Sequence, residues 1–290
     1  MNQIDYDVHV RDLGFPEGPV ALPDGGVAFV DLLHARIRRW HPDDGVSMLA
    51  ELDGAPNGMC LGGDGKLWIA NNGGIAPQRP GQPLHHAERP MPGGLQELDL
   101  RTGAVRVITQ GGVQPDRPND VVMSPEGYAV FTDPQNWEVL KTNPDAYWGG
   151  RVLVRREDGT VELLTQLPGF PNGLLFHPNG DLLVNLTRRR EVIRFRWKNG
   201  RVAAPELFCS FPEGFAPDGM CLTDDRLLVA GSVADMIAVV GLDGRPYGLV
   251  STGPNTDPTN LCISQDRVFI TNGFARELVS TKIDRLLRAI

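Results

Sequence analysis

The chain has 290 residues, a formal net charge of −8, 34 glycines and 24 prolines. The acidic balance argues against nucleic acid as a partner, because phosphate binding needs a basic face, and no run of about 18 apolar residues offers a membrane span. Gly and Pro punctuation between short apolar runs reads as a turn-rich, all-β chain.

From the N-terminus, Met1–Asp12 carries acidic residues and no apolar core of a signal peptide, so a cytoplasmic, reduced location is expected. Tyr6–Val10 reads as a lone strand. A repeating unit follows, at Phe15–Asp31, Ala55–Asn71, Arg117–Asp133, Phe170–Leu186, Ala216–Gly231 and Asp257–Asn272. Each opens on or just before a Pro, continues with a polar residue and a short apolar strand, turns at a Pro-Asp-Gly-like or Asp-Asp-like step, and ends on a second apolar strand. This is a hairpin signature. The units start about 40 to 62 residues apart. Between them lie further short strands, such as Arg36–Trp40 with Ser47–Ala50, and Val192–Trp197 with Val202–Phe208. Two longer inserts, Asn72–Gly94 with His85 and His86, and Pro134–Gly150 with Trp137, Tyr147 and Trp148, read as loops over a site. Arg188–Arg190 reads as a solvated hairpin tip, and only Lys282–Ile290 is a candidate helix.

Four strands per unit and six units predict one domain over residues 1–290, a six-bladed β-propeller of four-stranded antiparallel blades around a central channel. The Tyr6–Val10 strand is expected to complete the last blade and close the ring, which hides the sheet edges. Cys60, Cys221 and Cys262 occupy one repeat position and read as small buried fillers of the innermost strands. The four cysteines show no close-spaced metal or redox pattern.

The polar residue after each repeat Pro is Glu17, Asn57, Asn119, Asn172, Asp218 or Thr259. Equivalent positions of the innermost strands form one ring around the channel. Turn preference accounts for one or two Asn or Asp residues there. It accounts poorly for Glu17, and for two carboxylates converging on a narrow channel, where they repel unless a cation sits between them. The other reading is an oxygen-ligand site for a hard divalent cation; without His in the ring, a His-rich Zn²⁺ site is less natural. The returning ends, Asp31, Asn71, Asp133 and Asn272, are placed to orient ligands or touch a substrate, and so is Asn57 within the ring.

In these segments the chain resembles the senescence marker protein, gluconolactonase and luciferin-regenerating-enzyme family. The resemblance rests on EGPV at Glu17–Val20, RPND at Arg117–Asp120, FTDP at Phe131–Pro134, FPNGL at Phe170–Leu174 and PDGMC at Pro217–Cys221. It implies a six-bladed propeller with one catalytic divalent ion held by Glu17, Asn172 and Asp218. Asn119 would lie beside the ion and bind it or the substrate, Arg117 would contact a sugar-like substrate, and Asp218 would be the base. Ca²⁺ is expected first, with Mg²⁺, Mn²⁺, Zn²⁺ or Fe as alternatives. The segment after FTDP and the insert Asn72–Gly94 depart from the family pattern, so a relative's substrate does not transfer directly.

The expected activity is metal-dependent hydrolysis of a lactone, foremost a sugar lactone such as gluconolactone, acting on a small molecule. No Gly-x-Ser-x-Gly elbow points to a serine mechanism. The alternatives are a diisopropylfluorophosphatase-like phosphoester hydrolase, a metal-dependent isomerase or lyase on the same site, or a binding propeller with a structural ion. Oligomeric state is not legible.

Overall fold

The computed structural model describes residues 3–77, 82–135 and 149–290. Six four-stranded antiparallel sheets account for the repeats. The first blade runs Pro16–Ala21, Val27–Asp31, Arg36–His41 and Gly45–Glu51, each strand hydrogen-bonded to the next. The inner strands of the following blades are Pro56–Leu61, Val121–Met123, Pro171–Phe176, Ala216–Leu222 and Pro258–Ser264. Inner strands of successive blades touch in chain order and the sixth touches the first, so the sheets form a closed ring.

Closure uses the N-terminal strand. Asp7–Val10 pairs antiparallel with Glu277–Lys282 and becomes the outer strand of the sixth blade. The expected strand after Val202 begins later: Arg201–Val202 pairs with Trp197–Lys198 as a small hairpin, and Glu206–Ser210 is the outer strand of blade four. Ile283–Leu287 forms one short helix, which packs Leu286 between blades five and six.

The core explains why the second strands are apolar throughout. Successive side chains of a strand point to opposite faces, and in a propeller both faces meet a neighbouring blade. In Val27–Asp31, Ala28 and Val30 pack toward blade two, whereas Val27 and Phe29 pack toward blade six. Leu182 and Val184 likewise face blade three, and Leu183 faces blade five. One buried cluster sits at each blade junction. Cys60, Cys221 and Cys262 lie in inner strands as free thiols, Cys262 buried and the other two half-buried. Burial pushes the Cys221 thiol up to about 12, so it is not a thiolate at neutral pH.

No helix among the described residues is long and apolar enough to cross a membrane.

Candidate active site

The chain places its polar ring by breaking strand register at the ring residue. Pairing of the first and second strands skips after Glu17 in blade one, after Pro56 in blade two, after Pro171 in blade four, after Pro217 in blade five and after Pro258 in blade six. A bulge of this kind re-aims a side chain next to a site. The residue after the ring position is often Gly because the next blade comes too close for a side chain. A Cβ on Gly173 would sit 2.3 Å from the Asp218 carbonyl oxygen, and one on Gly58 would sit 2.0 Å from Asp120 Oδ1.

Blades two, three and four each hold the backbone at the ring position of the following blade. Gly58 N–H donates to the Asn119 carbonyl at 2.7 Å. The Thr132 hydroxyl donates to the Asn172 carbonyl at 2.7 Å. The Asn185 amide donates to the Asp218 carbonyl at 2.5 Å, and the Thr187 hydroxyl to the Pro217 carbonyl at 2.8 Å. Thr187 also accepts from the Asn172 side-chain amide at 3.2 Å, which turns Asn172 Oδ1 away from Thr187. Thr259 serves the lacing instead of the ring: it is fully buried and donates to the Pro16 carbonyl at 2.9 Å.

Glu17, Asn57, Asn119, Asn172 and Asp218 line one cavity of about 300 Å³ at the channel mouth. Asp257, Thr187, Arg188 and Ser232 are further polar lining residues, and Phe15, Phe170, Phe274, Leu84 and Pro77 contribute apolar surface. Glu17, Asn57, Asn119 and Asn172 are buried, whereas Asp218 is half-buried and lines the cavity. Among the described residues no group of three or more His, Cys, Asp and Glu side chains forms a metal-ligating cluster; the ring oxygens at this cavity mix two carboxylates with three side-chain amides.

The electrostatics are those of crowded carboxylates. Burial, then repulsion from Asp120, raises the Glu17 carboxyl to about 8, with Asp257 adding to the rise. Burial raises Asp120 to about 7. Asp218 is pushed well above the usual carboxylate range by burial and then by Glu17, Asp257 and Asp120. Burial also raises Asp257, against hydrogen bonds from Val233 N–H and the Ser232 hydroxyl at 2.6 and 2.8 Å. Taking several carboxylates out of water without positive charge is costly.

The two other expected site residues lie elsewhere. Asp133 is fully buried and does not line the cavity. Its carboxylate pairs with Arg151 and accepts the backbone N–H of Asp116 at 3.0 Å and of Arg117 at 2.6 Å. Asp31 and Asn71 do the same two blades and one blade earlier, accepting from Gly14 N–H at 2.8 Å and Ala55 N–H at 3.0 Å. In these three blades the returning strand end braces the chain that enters its own inner strand, so these side chains are occupied by structure. Arg117 is also outside the lining; its guanidinium donates to the Asn72 and Asp116 carbonyls at 3.4 and 3.3 Å.

Asp257, Thr187, Arg188 and Ser232 are polar lining residues that motif reading missed, and Asp120 acts on Glu17 and Asp218 from outside the lining. Asp257 opens the sixth repeat, where the first, second, fourth and fifth repeats begin with Phe or Ala, and that departure was its signal. Its φ of 55° and the 64° of Phe170 at the equivalent position lie in the left-handed region, which is unusual for Phe and recurs at functional sites.

The described residues of the insert 72–94 include one short strand pair. Ile75–Ala76 pairs with His85–His86, and the flanking Pro77 and Leu84 line the cavity. Ile75 and Leu84 pack with Phe170. His85 lines a separate hollow of about 520 Å³ beside His34, Arg36, Glu51 and Arg89, away from the ring. Trp137, Tyr147 and Trp148 lie outside the described residues.

Residues 15–273 match the family described as SMP-30/Gluconolactonase/LRE-like region. The chain belongs to this family. A gluconolactonase of Zymomonas mobilis subsp. mobilis is 27% identical over 291 aligned positions, covering 89% of this chain and 76% of that protein. A gluconolactonase structure from Xanthomonas campestris superposes with a TM-score of 0.75 at 22% identity, covering 95% of this chain and 88% of that one. A structure of regucalcin from Agrobacterium tumefaciens, described as a calcium-binding protein, gives 0.72 at 16% identity, covering 96% and 94%. At these identities the structural likenesses establish the propeller fold.

Proposed function

We propose that this family member is a divalent-metal-dependent lactonase that opens a small sugar lactone. The observation that carries the reading is the convergence of Glu17, Asn119, Asn172 and Asp218 on one cavity, in a chain whose likeness to a gluconolactonase covers 89% of its residues. The donor set fits a hard divalent cation, Ca²⁺ first, because it consists of carboxylate and amide oxygens. The raised carboxyls of Glu17 and Asp218 fit it too, since burial and then carboxylate repulsion raise them and a cation beside them offsets both. Glu17, Asn172, Asp218 and Asn119 would hold the ion. When bound, it would supply Lewis acidity toward the lactone carbonyl and stabilise developing negative charge.

Asp218 accepts the proton of the attacking water. The water oxygen bonds the carbonyl carbon, the acyl–oxygen bond of the ring breaks, and the same proton passes to the departing ring oxygen. The product is the open hydroxy acid. Beside a bound cation Asp218 would be ionised at neutral pH and able to accept this proton, though as a weak base; general-base help of this kind is worth about 10²–10⁴-fold. Asn57 and Asn119 are placed to orient substrate hydroxyls, and Phe15, Phe170 and Phe274 restrict water at the wall.

The test is a substrate panel of sugar lactones, aromatic lactones and phosphotriesters, assayed by proton release in the presence of calcium, magnesium, manganese or zinc. Hydrolysis of a sugar lactone, lost in Asp218→Ala, supports the reading. Cleavage of phosphotriesters alone, or of nothing, overturns it in favour of a phosphoester hydrolase or of a non-hydrolytic propeller.

A further inference from the structure

We propose that Arg188 sets the substrate class, selecting lactones that carry an anionic group, a carboxylate or a phosphate, at the end remote from the reacting carbonyl. This rests on the lactonase reading above and adds to it the charge of the substrate.

Among the described residues lining the cavity, Arg188 is the one cation; it is exposed, at the rim, while the carboxylates of buried Glu17 and Asp257 and half-buried Asp218 form the floor. The same cavity of about 300 Å³ contains both, so one small ligand can touch floor and rim together.

Arg188 is held at that rim by its backbone. It sits in the turn between the strands Leu182–Leu186 and Glu191–Phe195. Thr187 N–H donates to the Phe170 carbonyl at 3.1 Å, Arg188 N–H to the Gly169 carbonyl at 2.8 Å, and Arg189 N–H to the Leu186 carbonyl at 3.0 Å. The neighbouring Thr187 side chain is bonded to Asn172 and to the Pro217 carbonyl, within the ring itself. The base of the Arg188 side chain is therefore one residue from the framework that positions Asn172. Arg189 folds back to Glu191 at 2.7 Å, and the Arg190 carbonyl accepts from Phe211 N–H at 2.8 Å; neither lines the cavity. All three arginines of the run 188–190 are exposed, as a solvated tip requires, and Arg188 alone of them lines the cavity.

A guanidinium binds carboxylate and phosphate through a planar fork of paired donors. Arg188 is exposed whereas Glu17 and Asp257 are buried, so the cation lies on the solvent side of these carboxylates. The floor adds direction. An anionic substituent is repelled by the floor carboxylates and attracted to the rim, so the substrate enters with its uncharged lactone end toward Glu17 and Asp218.

The experiment compares the calcium-loaded wild type with Arg188→Ala and Arg188→Lys on three lactones: neutral glucono-1,5-lactone, the carboxylate-bearing glucaro-1,4-lactone and 6-phosphoglucono-1,5-lactone. The wild type is expected to show its highest kcat/KM on one of the two anionic lactones, and which one distinguishes carboxylate from phosphate. Arg188→Ala is expected to lose about 10- to 100-fold on that lactone, mainly through KM, with a much smaller loss on the neutral one, and Arg188→Lys to fall between. A wild type that prefers the neutral lactone, or a variant that loses equally on all three, overturns the proposal. If no lactone is hydrolysed, the lactonase reading fails, and calorimetric binding of glucarate, 6-phosphogluconate and gluconate still decides the role of Arg188. Tighter wild-type binding of glucarate or 6-phosphogluconate than of gluconate, abolished in Arg188→Ala, supports it, and equal binding of all three overturns it.

Discussion

Asn185 of blade four donates its side-chain amide to the backbone carbonyl of Asp218 in blade five, at 2.5 Å. The bond reaches past the strand pairing of either sheet and fixes the main chain of the proposed base from outside its own blade. Asn185→Leu keeps the volume and removes the donor, leaving a buried carbonyl unpaired at a cost of about 1–3 kcal/mol. A lower urea midpoint together with reduced turnover is expected. Reduced stability with unchanged kcat would show that Asp218 is positioned without this bond.

Glu17→Gln and Asp218→Asn are isosteric and remove one buried negative charge each. Without divalent ions, both variants are expected to melt above the wild type, because burial and mutual repulsion oppose these charges. With calcium the order is expected to reverse, since only the wild type gains the stabilisation of a bound ion, about 2.7 kcal/mol at one hundred times its Kd. Thermal melts with and without calcium check this. Turnover is expected to fall at least about 10²-fold in both variants.

The metal-free protein is expected to lose stability as pH rises. Glu17 and Asp120 have folded-state values of about 8 and about 7, above their ordinary 4.5 and 3.8. Across that window the folded state holds protons that the unfolded chain has released. The stabilisation is therefore complete below about pH 4 and lost as pH climbs through 7 to 8. Urea midpoints in chelator should fall from pH 5 to pH 8, and saturating calcium should flatten the slope.

Asp133 and Arg151 lie directly opposite each other on adjacent strands, and their ion pair is buried at the Asp133 end. Asp133→Ala strands the guanidinium and the N–H groups of residues 116 and 117, so a loss of about 3–5 kcal/mol is expected. A near-neutral effect on the denaturation midpoint would argue against the bracing role.

These residues also show how far the sequence could be read. The repeat of a Pro, a polar residue and two apolar strands located all six blades, the closing strand and five ring residues, because each is a local pattern repeated at one position. Thr259 fits the same pattern, yet its hydroxyl is taken by the Pro16 carbonyl 243 positions away, a contact that only ring closure creates. Asp133 stands in a family motif, but its assignment to Arg151 depends on strand register across an insert. Asp120 and Asp257 join the site by proximity between blades, which no spacing along the chain records. Arg188 was legible as one of three arginines, while the turn geometry that separates it from Arg189 and Arg190 was not.

The most direct measurement is proton release from glucono-1,5-lactone and glucaro-1,4-lactone by chelator-stripped protein titrated with calcium, followed in parallel by calorimetry. Activity absent in the stripped protein and restored in step with the binding of one ion, in the wild type but not in Glu17→Gln, is the predicted result. Full lactone hydrolysis by the stripped protein, or calcium binding with equal affinity in Glu17→Gln, would contradict the account.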